Sequence, residues 1–143
     1  MKTNRIFKVD ASLVPAFIGT AATGIGLHLA GHDGSHEAWH AWAVAHVLFS
    51  LVFTALIWNH VKQHLGWYKN LRRPSKRLRA VTTALSLVML AEVMTGAVLL
   101  LCVDGEGSRW GHVHWAGGVI LAILATGHIL KRLKTLLRGL GLS

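Results

Sequence analysis

The stretch His46–His60, HVLFSLVFTALIWNH, carries an imidazole at each end and only Ser50, Thr54 and Asn59 as polar residues between them. Fourteen steps along an α-helix make about four turns and about 21 Å of rise, so both imidazoles leave the same face. They lie near opposite margins of a hydrocarbon layer about 30 Å thick. The motif returns at His114–His128, HWAGGVILAILATGH, with the same step of 14 residues.

The rest of the chain agrees with a membrane setting. In 143 residues the hydrophobic share is 52%, and mean hydropathy is positive, which points to one membrane domain over residues 1–143. The apolar residues gather in four segments, about 12–29, 39–61, 81–103 and 110–130, each near the length of a bilayer span. Lys2, Arg5 and Lys8 resemble the basic region of a signal peptide, but no small-residue cleavage site follows. The first segment is therefore read as retained. The expectation is an all-α integral membrane four-helix bundle.

A net charge of +9 in a soluble chain would suggest nucleic acid. Here the basic residues are sorted by loop. Lys2, Arg5 and Lys8 precede the first span; Lys62, Lys69, Arg72, Arg73, Lys76, Arg77 and Arg79 fill the connection between the second and third. Lys131, Arg132, Lys134 and Arg138 follow the fourth span, and only Arg109 stands apart. By the positive-inside bias both termini and the middle loop are cytoplasmic, as in a bacterial inner-membrane protein. The short loops with His32, Asp33 and Asp104 then face outward. Anionic lipid accounts for the basic face, and nucleic acid is excluded as a partner. Cys102 is the only cysteine, so there is no intrachain disulfide and no C-x-x-C-H for covalent haem attachment.

The two halves repeat. Trp42 and Trp110, His46 and His114, and His60 and His128 are each 68 positions apart, and Thr23-Gly24 and Thr95-Gly96 are 72 apart. Two hairpins so related run the same way across the membrane, a parallel repeat about an axis along its normal. His46 is then level with His114, and His60 with His128. Ionisable groups within a bilayer are costly and usually mark function. Two neutral imidazoles at one depth on facing helices supply both axial positions of a haem iron, for which a four-helix interior is a usual holder. Two such pairs imply two bis-histidine haem b groups. Structural zinc takes four ligands at one point, or three plus water, whereas the spacing brings only two histidines together at the cytoplasmic level.

Several residues carry two readings. His28, His32, His36, His40 and His112 crowd the outer margin, where a zinc or copper site competes with loop capping and headgroup contact. AGHDGSHE, with two glycines, reads as a loop. His64 shares a face with His60, but its repeat partner is Arg132, so it is set aside as an axial ligand. Trp42 and Trp110 suit either an interfacial belt or packing on a haem edge. Gly24 and Gly96 allow close helix contact or clearance for a macrocycle. Glu92, the one acidic residue near mid-span, could pass a proton, bind a quinol hydroxyl, or be a neutral hydrogen-bonded packing residue.

The segment HEAWHAWAVAHVLFSLVFTALIWNHVKQHLGWYKNL resembles the flavinylation-associated membrane cytochromes. The residues that carry the resemblance are Trp42, His46, His60, Trp67 and Lys69, and RWGHVHWAGGVILAILATGHILKRL looks like the companion hairpin. The resemblance implies a b-type cytochrome that passes electrons across the membrane to an extracytoplasmic flavoprotein or other redox partner. A quinone pool is the expected partner on the other side of that transfer. No flavin-attachment domain is present in these residues. Two further classes stand beside this expectation: a non-redox metal-binding or transport module built on the outer histidines, and a catalytically silent anchor subunit of a larger oxidoreductase.

Overall fold

The computed structural model describes residues 2–33, 35–70, 75–103, 108–139 and 141; the side chains of residues 2–5, 33 and 76–78 fall outside that description. Asp104 and the basic residues Arg72 and Arg73 also lie outside the described residues, as does the breaker Pro74. Five helices follow one another: α1 (Lys2–Asp33), α2 (His36–Gln63), α3 (Leu65–Lys69), α4 (Lys76–Cys102) and α5 (Arg109–Gly139). Four of them are long and apolar enough to cross a membrane, over Ile6–His32, His36–Gln63, Arg79–Cys102 and Arg109–Gly139. The fold is an all-α four-helix bundle.

Each crossing helix is longer than its apolar segment. At 28 residues α2 is about 42 Å long, which carries both ends beyond a hydrocarbon layer of about 30 Å. Helices persist into the headgroup zone because charged residues there cost nothing in water while the backbone hydrogen bonds continue. Pro15 lies inside α1 without ending it, as membrane helices tolerate when neighbours and side chains re-satisfy the freed backbone groups.

AGHDGSHE is mostly helical rather than a loop. α1 continues through His32 to Asp33, and α2 resumes at His36 with Ser35 as its N-cap. The Ser35 hydroxyl accepts from the Ala38 backbone N–H at 3.4 Å, and the Ser35 carbonyl accepts from Trp39 N–H at 2.9 Å. That cap satisfies donors which a helix start would otherwise leave open. The middle connection is also structured. α3 sits there, and the Tyr68 hydroxyl meets Ser86 Oγ of α4 at 2.9 Å.

α1 packs along α2, α5 along α4, and α1 against α5; no comparable contact joins α2 to α4 among the described residues. The repeat is thus complete within hairpins and incomplete between them. What is enclosed among the described residues is mostly small or polar: Ala16, Ala30, Thr23 and Glu92, with Phe53 as the one large apolar side chain. Leu48, Leu51, Leu87, Leu101 and Ile123 face outward. Lipid tails are as apolar as leucine, so small residues rather than large ones go to the helix contacts.

Candidate functional site

The site begins with the protons on the histidine rings. His46 Nδ1 lies 3.1 Å from the Thr20 carbonyl oxygen and 3.3 Å from Thr23 Oγ1. The Thr23 hydroxyl already donates to the Gly19 carbonyl at 2.7 Å, as helical threonines do. It has only lone pairs left for the ring. Both neighbours of His46 Nδ1 therefore accept, and that nitrogen carries the proton.

The second hairpin repeats the device. Thr95 Oγ1 donates to the Ala91 carbonyl at 2.9 Å and accepts from His114 Nδ1 at 2.8 Å. Glu92 Oε2 lies 3.2 Å from the same nitrogen. At the other end of α2, His60 Nδ1 donates to Asp10 Oδ1 at 2.7 Å. In all three rings the neutral tautomer leaves the Nε2 lone pair free, ready to act as a metal ligand. Metal-ligating histidines almost always hold their second nitrogen in this way.

The structure brings His46 and His114 together. Their ring centroids are 6.2 Å apart, with planes at 75°. Two imidazoles bound on opposite sides of a first-row metal, each nitrogen about 2.0–2.1 Å from it, have ring centres about 6 Å apart. The separation suits a six-coordinate iron between them. A Cβ on Gly24 would stand 3.1 Å from His46 Cε1, and one on Gly96 would stand 3.3 Å from His114 Cε1. Each Thr-Gly pair thus acts as a seat, with glycine clearing the ring and threonine holding its proton.

Glu92 is buried, packed on Gly117 and Gly118 of α5. The two glycines admit its carboxyl between the helices beside His114. Trp42 is 42% exposed and lies flat on Gly26 of α1, where a Cβ would come within 2.6 Å of the indole; Trp110 is 49% exposed. Gly26→Ala should therefore destabilise the chain by about 1–3 kcal/mol through overpacking. Gly127 faces open space, so Gly127→Ala should be neutral or stabilising by up to about 1 kcal/mol. Unfolding in detergent compares the two, and equal effects would refute the Trp42 contact.

The outer histidines do not gather. His28 stacks on Trp115 at 3.9 Å, His32 meets His28 edge-on at 4.8 Å, and His112 Nδ1 donates to the Ser108 carbonyl at 3.0 Å. Among the described residues the one group of three ligand atoms within 4.8 Å of one another is Asp10, His60 and His64, at the opposite end. Two expectations change accordingly. The competing reading of an outer zinc or copper site finds no three-ligand group among the described residues, and the basic end adds Asp10 and His64 beside His60. Asp10 is 50 positions from His60 in the chain, so spacing within a helix does not reveal it.

At this basic end His64 lies beside His60, ring centroids 4.6 Å apart. Burial, helped by the Arg132 charge, outweighs Asp10 and holds the pKa of the His64 imidazole below its ordinary value. Its Nε2 is buried without a hydrogen-bond partner. His128 comes within electrostatic reach of His60, Arg132, Asp10 and His64, but no ring contact joins it to His60 among the described residues. The basic-end pair is less closely drawn together than the pair at the opposite end.

Comparison with protein-family models, characterised proteins and solved structures finds no match for this chain.

Proposed function

We propose that the chain is a di-haem b-type membrane cytochrome that carries electrons between the two faces of a bacterial inner membrane. His46 and His114 would hold one haem, and His60 and His128 the other. The observation that carries the reading is the pair of rings 6.2 Å apart, each with its Nδ1 proton already committed to protein acceptors. A hydrogen-bonded core histidine needs only one partner. Two such rings side by side on different helices, each with its Nε2 lone pair uncommitted, make a ligand set. Haem, when bound, supplies the one-electron couple and the visible chromophore.

The remaining work belongs to the chain's residues. Thr20, Thr23, Thr95, Glu92 and Asp10 fix ring orientation, and the helices hold the two levels about 21 Å apart along α2. A cleft of about 470 Å³ between α1 and α2, lined by Ser12, Pro15, Ala16, Phe49 and Val52, lies between those levels. Ser12 Oγ donates to the Lys8 carbonyl at 2.9 Å, which leaves its lone pairs to accept from a quinol hydroxyl. That gives a membrane-dissolved donor an open, apolar groove with one polar contact on this chain. A redox protein on the face lacking the basic segments is the matching acceptor.

One observation favours a second reading. Asp10, His60 and His64 could instead take a divalent transition metal with water in the open position. Reduced-minus-oxidised spectra with pyridine haemochrome quantitation separate the two. Two haems b per chain are expected. His60→Ala and His128→Ala should each remove the same haem and spare the other. One haem per fully loaded chain, or losses at different haems, would overturn the proposed pairing.

A further inference from the structure

The two proposed haem levels are not equivalent, and the repeat shows where they differ. The offset of 72 that relates Thr23-Gly24 to Thr95-Gly96 maps Asp10 onto Thr82 and Thr20 onto Glu92. Among the described residues, each level has a carboxyl in contact with one of its two histidines. At the basic end it is Asp10 on His60, at 2.7 Å; at the opposite end it is Glu92 on His114, at 3.2 Å and shared with Thr95. The Asp10 contact is the shorter, and no other acceptor shares that His60 nitrogen among the described residues.

We propose that Asp10 is a positioning residue for His60: it takes the Nδ1 hydrogen bond, turns Nε2 toward the bundle, and makes this imidazole the strongest donor of the four. The inference rests on the haem reading above. Its physics is that of carboxylate–histidine–metal triads, in which the outer carboxylate fixes the tautomer and raises ligand basicity. A charge-assisted hydrogen bond pulls the Nδ1 proton toward oxygen and pushes electron density onto Nε2. A stronger donor favours ferric over ferrous iron, so Asp10 lowers the potential of the basic-end haem. His64, with its Nε2 unpartnered beside His60, remains the neighbour that would complete a metal site if the hydrogen bond were not the correct account.

The test uses the full haem-loaded chain in detergent, with each haem assigned by comparison with His114→Ala and His128→Ala. Redox titration is followed by the ferric low-spin EPR signals. Asp10→Asn, which keeps the size but weakens the acceptor, should reduce the ferric preference about tenfold. That is an upward shift of about 59 mV for a one-electron couple. The other haem should stay within error, and Asp10→Glu should restore much of the effect. Loss of the basic-end haem in Asp10→Ala but not in Asp10→Glu would equally support positioning. An unchanged potential and EPR spectrum in Asp10→Asn, with both haems retained, would overturn it.

Failure of the haem reading gives a different result. Wild-type chain that takes up no haem at the basic end, but binds one Co²⁺ lost in His64→Ala, makes the triad a metal site and overturns both ideas there. If no haem and no Co²⁺ bind, ¹⁵N spectra of His60 still decide the positioning. A wild-type Nδ1-protonated tautomer that becomes mixed in Asp10→Ala supports it, and an unchanged tautomer overturns it.

Discussion

Alanine at His46 or at His114 should abolish electron delivery through vesicle membranes to an impermeant acceptor on the face lacking the basic segments. Donor is supplied on the opposite side or within the bilayer. Either substitution removes one of the two proposed haem ligands, whose rings are 6.2 Å apart, and the haem proposed at that level should be lost. The remaining level, about 21 Å away along the helix, leaves much of the hydrocarbon layer uncrossed. Transfer should fall to that of vesicles without the protein, although the surviving haem stays reducible in detergent. The same loss is expected for His60→Ala and His128→Ala. If transfer continued at the wild-type rate without the basic-end haem, the donor would enter near the opposite level, and the two centres would not lie in series.

Glu92→Ala should weaken haem retention at the His46–His114 level by about 10–100-fold, the range seen when an outer-shell partner of a metal ligand is removed. Two losses combine in this variant. His114 Nδ1 keeps Thr95 Oγ1 at 2.8 Å but loses the carboxyl at 3.2 Å. The space over Gly117 and Gly118 that the carboxyl filled is left open beside the ring. Glu92→Gln keeps both the volume and an acceptor oxygen, so it should retain most of the haem. Haem transfer to a scavenging apoprotein, followed by absorbance, gives the rates. Equal retention in all three proteins would mean that Thr95 alone orients His114. A loss in Glu92→Gln as large as in Glu92→Ala would mean that the carboxyl does more than fill space and accept.

The first and last helices run well beyond the apolar segments read in the sequence, whereas the number of spans and the approach of His46 to His114 were legible in the sequence alone. Those features rest on short-range physics. A run of apolar residues makes a crossing helix almost wherever it sits, and a step of 14 places two side chains on one face without reference to any neighbour. Repeated spacing then carries the pattern to the second hairpin. The helical course of residues 31–33 was not legible, because Gly31 and Gly34 read as breakers until the Ser35 cap is seen to start the next helix on its own. The short helix Leu65–Lys69 was hidden for a similar reason: Tyr68 is held by Ser86, a residue of another helix.

What surrounds each histidine was decided only by the tertiary structure. His60 meets Asp10 from 50 positions away, His46 meets Thr20 and Thr23, and His114 meets Glu92 and Thr95. Each partner lies on a different helix from its ring, at a height set by how the helices are staggered, and no periodicity within one helix encodes that stagger. The same is true of the break in symmetry. The repeat treats both hairpins alike, yet α1 lies against α5 while α2 and α4 have no comparable contact. Which helices touch depends on complementary surfaces such as Glu92 over Gly117 and His28 on Trp115. Those surfaces come into being only when both helices are already side by side.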